Sequence, residues 1–418
     1  MFLVSLLFLF TGKHQSKSLL ISIFGDFEIY FGGAINKITQ SHNHKINTSY
    51  MRYYIIAGEA SGDLHGSNLI KEIMKLDRQA DIRCWGGDMM QQAGGELVKH
   101  YRDLAFMGFI EVVKNLPAII KNLKFCKEDI LAYSPDTLVL IDYPGFNLRI
   151  AAWAKQGGVK IAYYISPQVW AWKENRVKKI KSAVDKMLVI LPFEKSFYKK
   201  WQYEVEYVGH PLIEVIEKEK LEEPAQLFPG KPIVALLPGS RQQEIIKKLP
   251  IMLQVSKYFP GYHFIVAKAP GLDPFFYDSL LQPYSNVSSV SGQTYALLKQ
   301  SKAAMVTSGT ATLETALFGV PEVVCYKSSI ISYQIGKRVI RVKYISLVNL
   351  IMDKLIVKEL IQDELTPGNL QKELNDLLNN PVRIAQLNKD YAELRQKLSE
   401  GGPASANAAR SIVDLAKK

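Results

Sequence analysis

Apolar runs and polar, helix-forming stretches alternate along the chain from about residue 51 onward. Short runs of β-branched and aromatic residues that end in turns predict buried strands, and a helical pattern between them predicts helices. The predicted strands lie within 52–58, 81–87, 136–145, 159–167, 186–193, 231–241, 262–270, 303–309 and 321–327. The predicted helices include 63–76, 117–132, 241–258, 367–399 and 403–417. Apolar strands separated by helices favour parallel sheets that are covered on both faces.

The alternation starts twice, and a charged, proline-containing stretch at 210–231 separates the two runs as a predicted linker. The sequence therefore predicts an α/β protein with two doubly wound, Rossmann-like domains that face a cleft, and C-terminal helices that pack back. Ligands of such sheets bind at the carboxyl ends of the strands. The predicted segments are an extension at 1–50, an N-terminal domain at 51–220, a C-terminal domain at 221–385 and the final helices at 386–418.

The first fifty residues do not fit this pattern. The segment "MFLVSLLFLF" is only about half as long as a membrane span and has no positively charged region before it. Gly25, Asp26 and Glu28 interrupt the next apolar stretch. We expect the extension to be disordered or to precede the native start at Met51, and a hydrophobic membrane anchor is the alternative.

Charge and composition narrow the classes of partner. The net charge of +12 favours an anionic partner, which could be nucleic acid, an acidic membrane surface or a phosphorylated substrate; general solubility is the alternative. Cys84, Cys126 and Cys325 form no CxxC pair, which argues against a disulfide framework. The histidines show no metal-ligand spacing, so the sequence predicts no metal site.

The turn "GEASGDLHG" at 58–66 follows a predicted strand and begins a helix, as a nucleotide-binding loop does, but its glycines are spaced differently. Its glycines follow GxxxGxxxG, and the pattern of a P-loop is absent. Glu59 and Asp63 would repel a phosphate, so we expect this turn to bind neutral hydroxyl groups. The alternative is a tight turn in which Asp63 caps the helix.

A second acidic residue follows the predicted strand of "LIDYPGFN" at 140–147. Asp142 stands at the carboxyl end of that strand, where an acid facing a cleft is a candidate general base. The alternative is a turn residue that stabilises the bend before Pro144.

Two helix starts in the second domain are suited to binding a diphosphate, because backbone N–H groups and hydroxyls there can contact an anion. They occur in "LLPGSRQQE" and "TSGTATLETALFG", and Arg241 adds a guanidinium. The candidate diphosphate-binding residues are Gly239, Ser240, Arg241, Ser308, Gly309 and Thr310, with Glu314 as a candidate ribose ligand. Ordinary helix capping is the alternative for the small and hydroxyl residues, and a solvated first-turn acid is the alternative for Glu314.

Two stretches combine basic residues with apolar or aromatic ones, at 104–127 and 173–200. This combination suits a phospholipid surface, and it can also bind nucleic acid. The plainer alternative is a buried apolar face with solvated lysines.

Nine motifs in their order along the chain resemble the lipid-A-disaccharide synthase family of glycosyltransferases. They are "AGEASGD", "MGFIEV", "IDYPGFN", "YYISPQVWAW", "LPFE", "GHP", "LPGSR", "SGTATLE" and "YISLVNL". The set runs from Met51 to near the C-terminus. One departure from the family pattern is Gly145, where a second acid is usual.

The resemblance implies a GT-B fold and an inverting transfer from UDP-2,3-diacylglucosamine to 2,3-diacylglucosamine 1-phosphate, without a cofactor or metal. Asp142 is the implied base, Glu59 acts in catalysis or orientation, and Asp63, Gln168 and Asn349 bind substrate. Loop-backbone hydrogen bonding is the alternative for Gln168 and Asn349.

The same resemblance implies a cytoplasmic enzyme attached peripherally to the inner membrane through 104–127 and 173–200, with no nucleic-acid partner. One alternative function is another GT-B enzyme that acts on UDP-GlcNAc. The other is a membrane-surface or nucleic-acid-binding protein that kept the fold without turnover.

Overall fold

The computed structural model describes most of the chain from residue 50 onward. The described residues are 50–104, 116–224, 226–228, 230–269, 272–273, 275–329, 333–334, 337–338 and 342–418. The predicted extension at 1–50 lies almost entirely outside this part, as does the apolar half of the stretch 104–127. Two compact units are present: one contains the described residues up to Pro211 together with Gly401–Lys418, and the other is Leu212–Glu400.

The first unit is built on a seven-stranded sheet in the order β3-β2-β1-β4-β5-β6-β7, and all its paired strands are parallel. Its strands are β1 Arg52–Ala57, β2 Asp81–Gly86, β3 Glu96–His100, β4 Thr137–Ile141, β5 Lys160–Tyr164, β6 Lys186–Val189 and β7 Glu206–Tyr207. Its helices are α1 Ala60–Leu76, α2 Asp88–Gln92, α3 Leu116–Tyr133, α4 Pro144–Gln156, α5 Val169–Trp172, α6 Arg176–Ala183, α7 Glu194–Lys199 and, after the second unit, α16 Ala404–Lys417.

Both faces of this sheet are buried, as the continuous apolar strands predicted. Because successive side chains of a strand point to opposite faces, Tyr54 and Ile56 of β1 join one core and Tyr53 and Ile55 join the other. Residues of α3, α4 and α6 share the first core, and those of α1 and α16 share the second. Full burial of one such side chain contributes about 1.5–3 kcal/mol, so the central strands anchor the loops that follow them.

The second unit repeats this arrangement in a six-stranded sheet with the order β10-β9-β8-β11-β12-β13, and its pairs are also parallel. Its strands are β8 Ile233–Leu237, β9 His263–Lys268, β10 Val287–Ser291, β11 Ser301–Thr307, β12 Glu322–Tyr326 and β13 Lys358–Ile361. Its described helices are α8 Pro211–Leu221, α9 Gln242–Ser256, α10 Phe275–Leu281, α11 Thr294–Gln300, α12 Thr310–Leu317, α13 Leu347–Met352, α14 Pro367–Asn379 and α15 Pro381–Ser399.

The nine predicted strands all overlap an observed strand, and the predicted α/β class is confirmed. Four strands were not predicted: β3, β7, β10 and β13. β3 and β10 are the outermost strands on one side of their sheets and are only half-buried. Their charged and serine residues give no continuous apolar run, so hydrophobic periodicity does not reveal them.

The predicted linker at 210–231 contains the boundary between the two units, after Pro211, and its first half forms helix α8. Proline at the first helical position, Pro211, is compatible with a helix because its missing N–H needs no partner there. Lys220 Nζ donates to the carbonyl oxygen of Leu317 at 2.9 Å, which ties α8 into the second unit.

The predicted helix 367–399 is two helices, divided where Asn380 accepts hydrogen bonds from the N–H groups of Val382 and Arg383. The final helix belongs to the first unit: Lys160 Nζ donates to the carbonyl of Ala416 at 3.1 Å. The observed unit boundaries, after Pro211 and after Glu400, therefore differ from the predicted ones at 220 and 385. In the described residues, no helix is both long enough and apolar enough to cross a membrane.

Candidate active site

A small pocket lies at the carboxyl ends of β1 and β4 in the first unit. The two strands are neighbours in parallel register, with Ala57 beside Ile141, so the turns that follow them meet. The pocket is lined by Gly58, Glu59, Ser61, Gly62, Ile141, Asp142 and Tyr143. The structure thus brings Glu59 and Asp142 of the predicted site together.

The backbone at Asp142 is held in an unusual conformation. Asp142 and Tyr143 have φ angles of 43° and 47°, in the left-handed region that costs non-glycine residues free energy. The carbonyl of Asp142 accepts hydrogen bonds from Asn147 Nδ2 at 2.8 Å and from the Tyr163 hydroxyl at 2.5 Å. Gly58 is required opposite, because a Cβ there would lie 2.4 Å from the Tyr143 ring. These contacts position the Asp142 carboxyl group independently of any ligand.

The Asp142 carboxyl group has the properties of a base that works near neutral pH. Its Oδ1 atom is buried and has no hydrogen-bond partner among the described residues. Burial, together with the charge of the neighbouring Glu59 carboxylate, raises the pKa of Asp142 to about 7. A carboxyl group with this pKa is partly ionised at neutral pH and can hold a proton after accepting it.

Asp63, a predicted substrate ligand, is engaged within the fold. It is buried, and its carboxylate accepts hydrogen bonds from the backbone N–H groups of Gly87, Met89 and Met90 at 2.8–3.2 Å. It therefore caps the start of α2. The alternative interpretation from the sequence was that Asp63 caps a helix. The helix expected there was α1, to which Asp63 itself belongs, whereas the structure shows that it caps α2.

Glu194 was not predicted, although it lies in the motif "LPFE". It is buried after β6, where its Oε2 accepts hydrogen bonds from the N–H groups of Ile190 and Leu191 at 3.3 and 2.9 Å. Burial raises the pKa of Glu194 to about 7, and its charge contributes to the raised pKa of Asp142. In the sequence, Glu194 could have been recognised as an acidic residue in an otherwise apolar turn.

Gln168 is half-buried at the start of α5, and its side chain makes no capping hydrogen bond to that helix.

The two predicted anion-binding turns of the second unit lie side by side. They follow β8 and β11, which are neighbours with Leu237 beside Val306. Thr307 Oγ1 donates to the carbonyl oxygen of Pro238 at 2.8 Å and joins the turns directly. Gly239 has a φ of 114°, which favours glycine. The structure thus brings together the residues of both turns that the sequence singled out.

Within these turns the predicted ligands differ in how available they are. Ser240, Gly309 and Thr310 are exposed, whereas the Ser308 hydroxyl donates to the carbonyl of Ile345 at 2.7 Å. Glu314 accepts a hydrogen bond from the Tyr295 hydroxyl at 3.2 Å, and burial raises the pKa of Glu314.

Arg241 immediately precedes α9, and its Nη1 atom is 3.2 Å from Glu244 Oε1. The Nε atom of Arg241 is buried and has no hydrogen-bond partner in the part of the chain that the structure describes. The guanidinium therefore keeps one unused donor beside the turn.

The side chain of Asn349, a predicted substrate ligand, is hydrogen-bonded within the fold. It is fully buried, and its Nδ2 donates to the Val357 carbonyl and to Glu359 Oε1, both at 2.9 Å. Its Oδ1 accepts hydrogen bonds from the N–H groups of Ile356 and Val357. All four hydrogen-bonding positions of the amide are occupied, so Asn349 joins α13 to the chain before β13.

Comparison with known proteins identifies the family. A family model described as lipid-A-disaccharide synthetase matches residues 53–413. The chain belongs to the lipid-A-disaccharide synthase family. Lipid-A-disaccharide synthase of Geobacter metallireducens is 40% identical over 380 residues, which cover 88% of this chain and 98% of the relative. The enzyme of the same name from Coxiella burnetii is 37% identical over 369 residues, covering 86% of this chain and 97% of the relative.

Solved structures support the GT-B fold of this lipid-A-disaccharide synthase family member. The glycotransferase of kitacinnamycin superposes with a TM-score of 0.60 at 14% identity, over 88% of this chain and 100% of that one. UDP-GlcNAc 2-epimerase from Neisseria meningitidis, solved with UDP-GlcNAc, also has a TM-score of 0.60 at 14% identity, over 87% and 99% of the two chains. At such low identity these similarities concern the fold alone. Family membership makes the protein an enzyme, a glycosyltransferase of lipid A biosynthesis.

Gly145 is the one position where this chain departs from the family pattern described above. It is exposed, and a Cβ built on it would have no atom within 4 Å. The second carboxylate of the pocket is therefore provided by Glu59. Among the described residues, no group of three or more His, Cys, Asp or Glu side chains could hold a metal ion.

Proposed function

We propose that the protein transfers the diacylglucosamine group of UDP-2,3-diacylglucosamine to 2,3-diacylglucosamine 1-phosphate. The 6-hydroxyl oxygen of the acceptor attacks the anomeric carbon of the donor, and the bond from that carbon to the diphosphate breaks. The products are the β(1→6)-linked disaccharide phosphate and UDP. Family membership supports the reaction class, and the pocket of the first unit supports the way the proton is removed.

Asp142 takes the proton from the attacking hydroxyl group in this proposal. The observation that carries this role is the unpartnered, buried Oδ1 of a carboxyl group whose pKa is raised to about 7. Inversion needs one such base and no covalent intermediate. Glu59 orients the hydroxyl groups of the sugar and, through its charge, keeps Asp142 a stronger base than an exposed aspartate.

The donor diphosphate binds at the turns after β8 and β11. The N–H groups at the start of α9 and α12 and the Arg241 guanidinium stabilise the charge that develops on UDP as it leaves. Glu314 accepts a hydrogen bond from the ribose.

A lipid surface holds the acylated substrates in this proposal, and nucleic acid is not a partner. In the stretch 173–200, α6 and α7 carry several exposed lysines; they are Lys178, Lys179, Lys181, Lys195, Lys199 and Lys200. Trp172 lies against Lys173 and Arg176, whose charged groups are 4.9 and 5.0 Å from its ring centroid. Cations beside an aromatic ring suit the anionic headgroups of the cytoplasmic face of the inner membrane.

The test is the reaction itself. Purified protein is incubated with both acylated substrates, and the products are analysed by mass spectrometry, with UDP release followed in parallel. We expect the disaccharide 1-phosphate and an equal amount of UDP, and no product when UDP-GlcNAc replaces the acylated donor. Turnover of UDP-GlcNAc without the acylated donor would instead assign the protein to a different GT-B activity.

A further inference from the structure

Lys248 is a buried lysine beneath the first of the two turns in the second unit. It lies on α9, and only 2% of its side chain is exposed. Lysine is almost never fully buried unless it is paired, because removing an ammonium group from water is costly. In the described part of the chain its ion-pair partner is Glu244, with 3.5 Å between Nζ and Oε2. Burial lowers the pKa of Lys248, and Glu244 opposes this effect.

The Lys248 ammonium group is buried directly beneath the backbone of the turn. A Cβ built on Gly239 would lie 3.6 Å from Lys248 Nζ and 2.9 Å from Glu244 Oε2. Since Gly239 has no side chain, only a short distance separates this ammonium and carboxylate from the turn backbone. The charge of Lys248 can therefore attract an anion that is bound at the turn.

The charges around the turn do not balance. Glu244 bridges two cations, with its Oε1 3.2 Å from Arg241 Nη1 and its Oε2 3.5 Å from Lys248 Nζ. Cys325 of β12 is close enough to interact electrostatically with Lys248, but burial raises the pKa of its thiol to about 12, so it remains neutral. Tyr326 of the same strand is also kept neutral, since burial raises its pKa. The cluster of Arg241, Glu244 and Lys248 thus has one positive charge in excess, beside the unpartnered Arg241 Nε.

We propose that the buried charge of Lys248, beneath Gly239, strengthens binding of the donor diphosphate at the turn, as a second cation next to Arg241. Glu244 holds both cations at the turn when no nucleotide is bound. The inference rests on the proposed UDP site and adds a residue that neither the helix-start pattern nor the motifs indicated. With this pair of cations, the site binds a nucleoside diphosphate more tightly than the nucleoside alone.

The test compares Lys248→Met with Lys247→Met, a matched control that removes the same charge from an exposed position on the same helix. Binding of UDP is measured by calorimetry and binding of uridine by ligand-observed NMR. We expect Lys248→Met to weaken UDP binding about tenfold, because a cation close to the diphosphate in a partly buried site attracts it strongly, and to leave uridine binding unchanged. Lys247→Met should bind both ligands as the wild type does. Methionine keeps the length of the side chain, and Glu244 retains Arg241 as its partner, so the fold should be preserved.

Three results would overturn the inference. One is a UDP affinity of Lys248→Met within twofold of the wild type. Another is an equal loss of UDP and uridine binding together with a lower melting temperature, since that pattern marks a structural role. The third is the absence of UDP binding to the wild-type protein, which would overturn the UDP site as well. If Arg241→Ala weakens UDP while Lys248→Met does not, the UDP site stands and only the role of Lys248 is lost.

Discussion

The pocket of the first unit and the paired turns of the second unit share one backbone plan and differ in charge. Each lies where two neighbouring parallel strands end, after β1 and β4 in one unit and after β8 and β11 in the other. Each depends on a glycine that admits a close neighbour: the Tyr143 ring at Gly58 and the Glu244 carboxylate at Gly239. The first site holds the carboxylates Glu59 and Asp142, whereas the second has an excess of positive charge.

This difference shows that the strand–glycine turn–helix arrangement does not select the ligand. In the first unit, burial and the nearby Glu59 carboxylate raise the pKa of Asp142, and the two acids repel phosphate, which suits removal of a proton from a sugar hydroxyl. In the second unit, Arg241 and Lys248 reinforce the N–H groups of the helix starts and suit a diphosphate. The side chains, not the shared backbone, decide the chemistry.

The largest effect is expected from Asp142→Asn, which removes the base and keeps the shape of the side chain. Turnover should fall about a hundredfold or more, because general base catalysis typically supplies roughly 10²–10⁴. UDP affinity, a property of the second unit, should be unchanged. Steady-state kinetics and UDP calorimetry check both points, and circular dichroism verifies folding. Activity within a few-fold of the wild type in folded protein would remove Asp142 from its role.

Arg241→Ala should produce the converse result. We expect UDP affinity to fall about tenfold or more, since a guanidinium contributes a charge-assisted hydrogen bond to a diphosphate. Binding of the acceptor alone should be unaffected. Calorimetric titrations with UDP and with a soluble acceptor analogue measure the two affinities. An unchanged UDP affinity would place the diphosphate elsewhere.

Two buried acids with opposite surroundings extend the comparison to stability. Asp63 of the first unit accepts three hydrogen bonds, whereas both carboxyl oxygens of Glu322 in the second unit are buried and have no hydrogen-bond partner among the described residues. Asp63→Ala should lower the free energy of unfolding by about 1–3 kcal/mol because it leaves buried N–H groups unsatisfied.

Glu322→Met should raise the free energy of unfolding by about 1 kcal/mol, since it replaces an unpartnered polar group with an apolar one.

The gain from Glu322→Met should depend on pH with a defined sign. Burial raises the pKa of folded Glu322 well above its ordinary value of 4.5. As pH rises above 4.5, the unfolded chain loses this proton while the folded chain keeps it, so the wild type loses stability relative to the variant. Urea unfolding at pH 5 and pH 8 measures the difference. A gain that is equal at both pH values would contradict the explanation.

The smallest effect is expected from Glu59→Gln, which keeps the shape of the pocket and removes one of its charges. Since Glu59 contributes to the raised pKa of Asp142, its loss should lower that pKa from its value of about 7. The base is active when deprotonated, so the acidic limb of the pH profile of kcat/KM should move to lower pH. An acidic limb that stays in place, or moves to higher pH, would show that Glu59 does not influence Asp142.

The sequence by itself determined the architecture and the family. Continuous apolar strands of β-branched and aromatic residues can be buried only in a parallel sheet covered on both faces, and nine of the described strands follow from that pattern. The position of Asp142 at a strand end and the two glycine-containing helix starts were readable as well, because they depend on residues close together in the chain.

Tertiary structure decided which polar residues remain available for ligands. The hydrogen-bond donors to Asp63 lie 24 to 27 residues later, and the partners that occupy the Asn349 amide lie 7 to 10 residues later. No local pattern distinguishes such satisfied groups from candidate ligands. Lys248 illustrates the reverse case: a lysine in a helix normally faces water, and only the packing of α9 places it beneath Gly239. Burial and distant partners, which the fold creates, decide these roles.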